Sequence, residues 1–66
     1  MQLIVNGVVQ DLDSPHSLVH LLQARSLSPV TALIEHNGVA LSRADWEAVV
    51  LRDGDRIELL RIAAGG

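Results

Sequence analysis

Arg56-Ile57-Glu58-Leu59-Leu60-Arg61-Ile62 reads as a β-strand that stops four residues short of the end of the sequence. Period-two alternation places Ile57, Leu59 and Arg61 on one face, and Glu58, Leu60 and Ile62 on the other. If Ile57 and Leu59 point into a core, Leu60 and Ile62 stand outside it. Two exposed aliphatic residues beside a chain end suggest a surface on which a partner docks. A strand buried on both faces would show the same apolar run, and periodicity does not separate the two.

Ala63-Ala64-Gly65-Gly66 follows this strand. Glycine lacks a Cβ and accepts nearly any backbone conformation, so the stretch is expected to be thin and flexible. Four extended residues reach about 13 Å from Ile62. Such an arm, ending in an unhindered carboxylate, can enter a narrow active site of another protein. Taken alone, it reads equally well as a loose end.

Working back from the last strand, Arg52-Asp53-Gly54-Asp55 has the composition of a turn. Val49-Val50-Leu51 before it packs or pairs. Ser42-Arg43-Ala44-Asp45 resembles a capping box, with aspartate in the usual glutamate or glutamine position, and starts a short helical turn carrying Trp46. Thr31 to His36 reads as a strand with Leu33 inward, joined through Asn37-Gly38 to the short Val39-Ala40-Leu41. Leu3-Ile4-Val5, Asn6-Gly7 and Val8 to Leu12 form a second hairpin, because Asn-Gly supplies the two positive-φ positions of a tight turn. Between the hairpins, Ser14 is expected to cap a helix with Pro15 at its first position. That helix is expected to run about three turns. Leu18, Leu21, Leu22 and Arg25 fall on one face, with His16, His20 and Gln23 opposite.

The order β-β-α-β-β-(short helix)-β implies an α+β fold, a mixed sheet of four to five strands packed on one main helix. Two hairpins bury the leucine face of the helix only by joining one sheet. The closure this favours sets the last strand beside the first, in parallel, at the centre. The expected organisation is one domain, with residues 1–62 as the globular body and 63–66 as the flexible tail.

Sixty-six residues lie near the lower limit for a core without staples. The chain contains no cysteine, which excludes disulfides, thiolate metal sites and a side-chain sulfur carrier. The net charge is −3 and no basic run is present, so nucleic acid is not an expected partner. No stretch has the length of a membrane span and no leader opens the chain, so a soluble, cytoplasmic protein is expected. All five basic residues are arginine. Codon bias explains that, although an activated carboxyl terminus also gains from lacking amine nucleophiles.

Within the body no chemistry assembles. His16 and His20 have a metal-compatible i, i+4 spacing but no third ligand, and His36 lies elsewhere in the chain. Asp53 and Asp55 flank Gly54 without the further oxygen ligands of a calcium loop. Asp45 and Glu47 suit the start of a helix. No catalytic or metal residue is assigned, which moves weight to the tail.

The chain resembles the ThiS family of sulfur carriers in thiamin biosynthesis, ubiquitin-like β-grasp proteins, over its whole length. The residues that carry the resemblance are the N-terminal hairpin, the helix after Ser14-Pro15 and Ser42-Arg43-Ala44-Asp45-Trp46. Asp53 to Leu60 and the final Ala64-Gly65-Gly66 complete it. The resemblance implies that the chain is not an enzyme but a substrate of one. Gly66 would be adenylated by a ThiF-type enzyme, which uses the ATP and magnesium, and converted to a thiocarboxylate with sulfur from a donor enzyme. The sulfur would then pass to a ThiG-type thiazole synthase. Ala64 and Gly65 would thread the partner's active site, and Leu60 and Ile62 would dock the body. The small subunit of molybdopterin synthase shares fold and tail but is usually longer, and the brevity here favours the thiamin branch. A ubiquitin-like modifier, or a β-grasp binding module with an inert tail, are the other readings.

Overall fold

A computed structural model describes residues 1–12 and 17–62. The described elements are β1 (Gln2–Val5), β2 (Val8–Asp11), α1 (Leu18–Ala24), β3 (Ala32–His36), β4 (Val39–Leu41), a 3-10 helix (Arg43–Ala48) and β5 (Arg56–Arg61). The strands form one sheet in the order β2-β1-β5-β3-β4. The last strand is therefore central, parallel to β1 and antiparallel to β3, as the packing argument required.

Both Asn-Gly turns behave as their residues dictate. Asn6 and Gly7 sit at φ 51° and 81°, and Asn37 and Gly38 at 49° and 84°, the left-handed pair that matches strand twist. Short hairpins fix the register on each side, Val5 against Val8 and His36 against Val39.

One face of the sheet carries the core: Leu3 and Val5 of β1, Ile57 and Leu59 of β5, and Ala32 and Ile34 of β3. Leu18, Leu21 and Leu22 of α1 close over them, with Trp46 of the 3-10 helix and Leu51 beyond it. Burying these aliphatic side chains contributes about 1.5–3 kcal/mol each. The expectation that Leu33 points inward is overturned, because Leu33 is exposed and its neighbours Ala32 and Ile34 are buried. The register sets Ile34 opposite Leu59, and a one-residue shift would reverse every side chain on β3.

Helix α1 is shorter than the three turns expected. It begins at Leu18, and Ser17 caps it, its hydroxyl oxygen accepting the His20 N–H at 3.2 Å. Ser14 and Pro15, the expected cap and first position, lie outside the described residues. The other end closes in a Schellman motif: the Leu27 N–H donates to the Leu22 carbonyl at 2.9 Å and the Ser26 N–H to Gln23 at 3.1 Å. Ser26 takes the left-handed position, φ 57°, where glycine is usual. At the 3-10 helix, Ser42 occupies the cap position, but its hydroxyl donates to the Asp45 carboxylate at 2.8 Å and satisfies no backbone donor.

Candidate functional site

The structure builds the base of the tail from the inside out. Strand β5 alternates by residue, so its backbone polar groups alternate between its two neighbours as well. Towards β3, the Ile62 N–H donates to the Thr31 carbonyl at 2.7 Å, and the Arg56 carbonyl accepts from the Asn37 N–H at 2.8 Å. Towards β1, the Ile57 carbonyl accepts from the Asn6 N–H at 2.9 Å.

Beyond that point β1 turns away, and the side chain of Asn6 replaces it. Asn6 Oδ1 accepts the Leu59 N–H at 2.7 Å, and Nδ2 donates to the Leu59 carbonyl at 3.3 Å. Asn37 does the same on the other flank, its Oδ1 accepting the Arg56 N–H at 2.8 Å. Both hairpin asparagines thus serve two purposes, one turn conformation and one bracket on β5. The sequence reading saw only the first.

Leu60 and Ile62, read as docking residues, are 45% and 47% exposed, on the sheet face opposite α1. Leu33 is directly opposite Leu60 in the register and 48% exposed, which makes it a third member of this patch. The misreading of its direction is why it was missed. One step further from the tail, Glu35 faces Glu58, a like-charge pair on the same sheet face. The outer face is therefore apolar near the tail, with the two glutamates behind it and Arg56 beyond them. Ala64, Gly65 and Gly66 lie outside the described residues.

At the opposite end of β5 a polar cluster holds the turn before the strand. The Asp55 carboxylate accepts from His36 Nε2 at 2.8 Å, from Asn37 Nδ2 at 3.1 Å and from the Arg52 N–H at 2.9 Å. Burial pushes the Asp55 carboxyl up, but these hydrogen bonds and the nearby imidazole outweigh it and hold the group below its ordinary value. Asp53 accepts the Gln2 N–H at 2.6 Å, tying the same turn to β1. Among the described residues, no three metal-ligating side chains gather at one point. The Asp-Gly-Asp sequence is a structural clasp there.

The described body is a five-stranded sheet whose central strand leads to Gly65-Gly66 in the sequence. The model of the ThiS family matches residues 3–66. The chain belongs to the ThiS family. Among solved structures, the crystal structure of the thiamine biosynthesis protein ThiS from Geobacter metallireducens is 32% identical, with a TM-score of 0.82 and full coverage of both chains. The solution structure of a thiamine biosynthesis protein from the same organism is also 32% identical. Its TM-score is 0.79, with all of this chain and 88% of the other covered. A protein named thiazole synthase from Magnetococcus marinus is 30% identical over 66 residues; this chain spans 20% of its length. The body is thus a ThiS-type, ubiquitin-like β-grasp. Among the described residues, no helix is long and apolar enough to cross a membrane.

Proposed function

We propose that this ThiS-family chain is a sulfur carrier for thiazole formation in thiamin biosynthesis, working at its Gly66 carboxylate in the cytoplasm. A carboxylate is a poor electrophile. Attack of a Gly66 oxygen on the α-phosphorus of ATP displaces pyrophosphate and gives an acyl-adenylate, with ATP and magnesium held by a ThiF-type enzyme. Sulfur delivered by a donor enzyme at the sulfide level then attacks the acyl carbon, forming the C–S bond as the bond to AMP breaks, and leaves a thiocarboxylate. The absence of a side chain at Gly66 keeps the acyl carbon open, and Gly65 with Ala64 keeps the approach slim.

The observation that carries this reading is that the family match runs through residue 66, so that it includes the terminal glycines. The Magnetococcus relative supports a ThiG-type thiazole synthase as the recipient. In that protein, a segment similar to this entire chain lies within a polypeptide named for the synthase. The exposed Leu33, Leu60 and Ile62 supply an apolar surface on which the activating enzyme docks. The chain itself acts as substrate and carrier, and catalysis belongs to its partners.

Coexpression with the activating and sulfur-donating enzymes tests the proposal. The intact mass is expected to shift by exchange of one oxygen for sulfur, located at Gly66 by fragmentation. An unchanged mass, with the enzymes and ATP shown to be competent, sinks the carrier reading. Rescue of a thiamin auxotroph, and not of a molybdopterin auxotroph, places the chain in the thiamin branch.

A further inference from the structure

The sequence contains no lysine, cysteine or tyrosine, so none of its 66 residues bears a side-chain amine, thiol or phenol. Histidine aside, these are the side chains that take an activated acyl group most readily. All five basic residues other than histidine are arginines, whose guanidiniums stay protonated and delocalised and do not attack a carbonyl carbon. A chain activated at its own carboxyl terminus meets its own side chains before any other nucleophile.

The fold disposes of the groups that remain. The one amine in these residues is the α-amine of Met1, which donates to the Leu12 carbonyl at 2.9 Å with Asp11 4.0 Å away. Strand β1 runs parallel to β5 with Ile4 beside Arg56, so Met1 and Ile62 lie at opposite ends of the sheet. At about 3.3 Å per residue, the steps from Met1 to Ile4 and from Arg56 to Ile62 separate them by about 30 Å. The residues beyond Ile62 span at most about 13 Å. Of the described histidines, His20 lines a hollow with Gln10 and Leu12, and His36 is bound to Asp55. Both stand nearer the start of β5 than its end.

At the end of β5 the register gathers Thr31, Ala32, Leu33, Leu60, Arg61 and Ile62. Only Thr31 brings a nucleophile, and a hydroxyl without a base beside it is a weak one. Arg61 is exposed and last in the strand, which makes it the position where an amine would come closest to the tail.

We propose that this chain is an acyl donor to sulfur and never to itself, and that Arg61 decides this by carrying a positive charge at the base of the tail without an amine. The donor role rests on the carrier reading, whereas the placement of nucleophiles does not. In Arg61→Lys, the unprotonated amine attacks the acyl carbon of the Gly66 adenylate. The C–N bond forms, the C–O bond to AMP breaks, and the nitrogen sheds its extra proton to water. The product is a lactam closed on the chain's own end, one water lighter than the free protein and shut to sulfur.

A Gly66 thioester of the purified chain tests this without any enzyme, since an amine displaces its thiol by the same attack. Wild type, Arg61→Ala and Arg52→Lys are expected to give only the hydrolysed acid, Arg52 being exposed in the turn at the other end of β5. Arg61→Lys is expected to lose its thioester about tenfold faster and to yield the species one water lighter, because a tethered amine acts at a high effective concentration. Circular dichroism of all four is expected to agree. A lactam or an amide-linked dimer from the wild type overturns the proposal. So does an Arg61→Lys thioester that only hydrolyses, which leaves codon bias as the reason for the arginines. Equal loss from Arg61→Ala shows that the guanidinium matters and not the missing amine, and equal cyclisation of Arg52→Lys removes the special place of residue 61; either overturns it too. A wild type that releases no pyrophosphate with ATP and a verified activating enzyme overturns the carrier reading, and the donor role with it, whatever the thioesters do.

Discussion

His36 donates from Nε2 to the Asp55 carboxylate across 2.8 Å, joining residues 19 positions apart at the start of the central strand. The pair is largely enclosed, with the two side chains 23% and 12% exposed. Three donors, His36, Asn37 and the Arg52 N–H, converge on the Asp55 carboxylate and favour its ionised form. Its proton is held more weakly in the folded protein than in the unfolded one. The stabilisation is therefore complete above the ordinary carboxylate value of 3.8 and is lost as pH falls through the lower folded value. Asp55→Asn is expected to cost about 1.5–3 kcal/mol near neutral pH, the range for hydrogen bonds to a charged group. Urea unfolding at several pH values checks this, and the gap between variant and wild type should close only in strong acid.

Leu60→Asp and Ile62→Asp are expected to weaken binding to the activating enzyme while changing stability by less than about 1 kcal/mol, because both positions are half exposed. Leu59→Ala is the contrast, since Leu59 is 5% exposed and its truncation should cost about 2–5 kcal/mol. Titration calorimetry and thermal melts separate the two effects. A large melt shift for Leu60→Asp would mean that its face is covered.

Asn6→Gly isolates the bracket on Leu59. Glycine accepts the φ of 51° without strain, so the loss beyond glycine's own backbone entropy, about 0.5–1 kcal/mol, comes from the carboxamide. Two backbone groups lose their partners, and a cost of about 1–2 kcal/mol is expected. Exchange of the Leu59 amide should accelerate more than that of Ile62, whose bond to Thr31 is untouched.

Ser26→Gly is expected to stabilise the fold by up to about 1 kcal/mol, since Ser26 holds the left-handed position of the Schellman motif. A melt that does not rise would show that the serine has a compensating role.

Much of this architecture is legible in the sequence because it rests on local chemistry. Asn6-Gly7 and Asn37-Gly38 set two hairpins, and the leucines of α1 need one sheet to cover them. The central place of the last strand follows from those constraints, whereas the exposure of Leu60 and Ile62 is decided only in the folded sheet, because periodicity left a strand buried on both faces open. Relationships that depend on register were not legible. Leu33 and Ile34 are both apolar, and only pairing with β5 decides which turns inward. His36 has no local reason to meet Asp55, and the carboxamide of Asn6 reaches Leu59 across 53 positions. Two serines stand near the helix start, and Ser17 supplies the observed cap.

The parallel placement of β1 beside β5 also has a mechanical consequence. Ile4 and Asn6 donate to Asp55 and Ile57 across the interface between the first and last strands. Opposed forces applied at Gln2 and at Arg61 pull these strands along their length, so the bonds between them bear the load together instead of opening one by one. The antiparallel ladder to β3 braces the same strand from its other side. A partner that grips the chain beyond Arg61 and tugs is therefore pulling on the part of the body best placed to resist extraction.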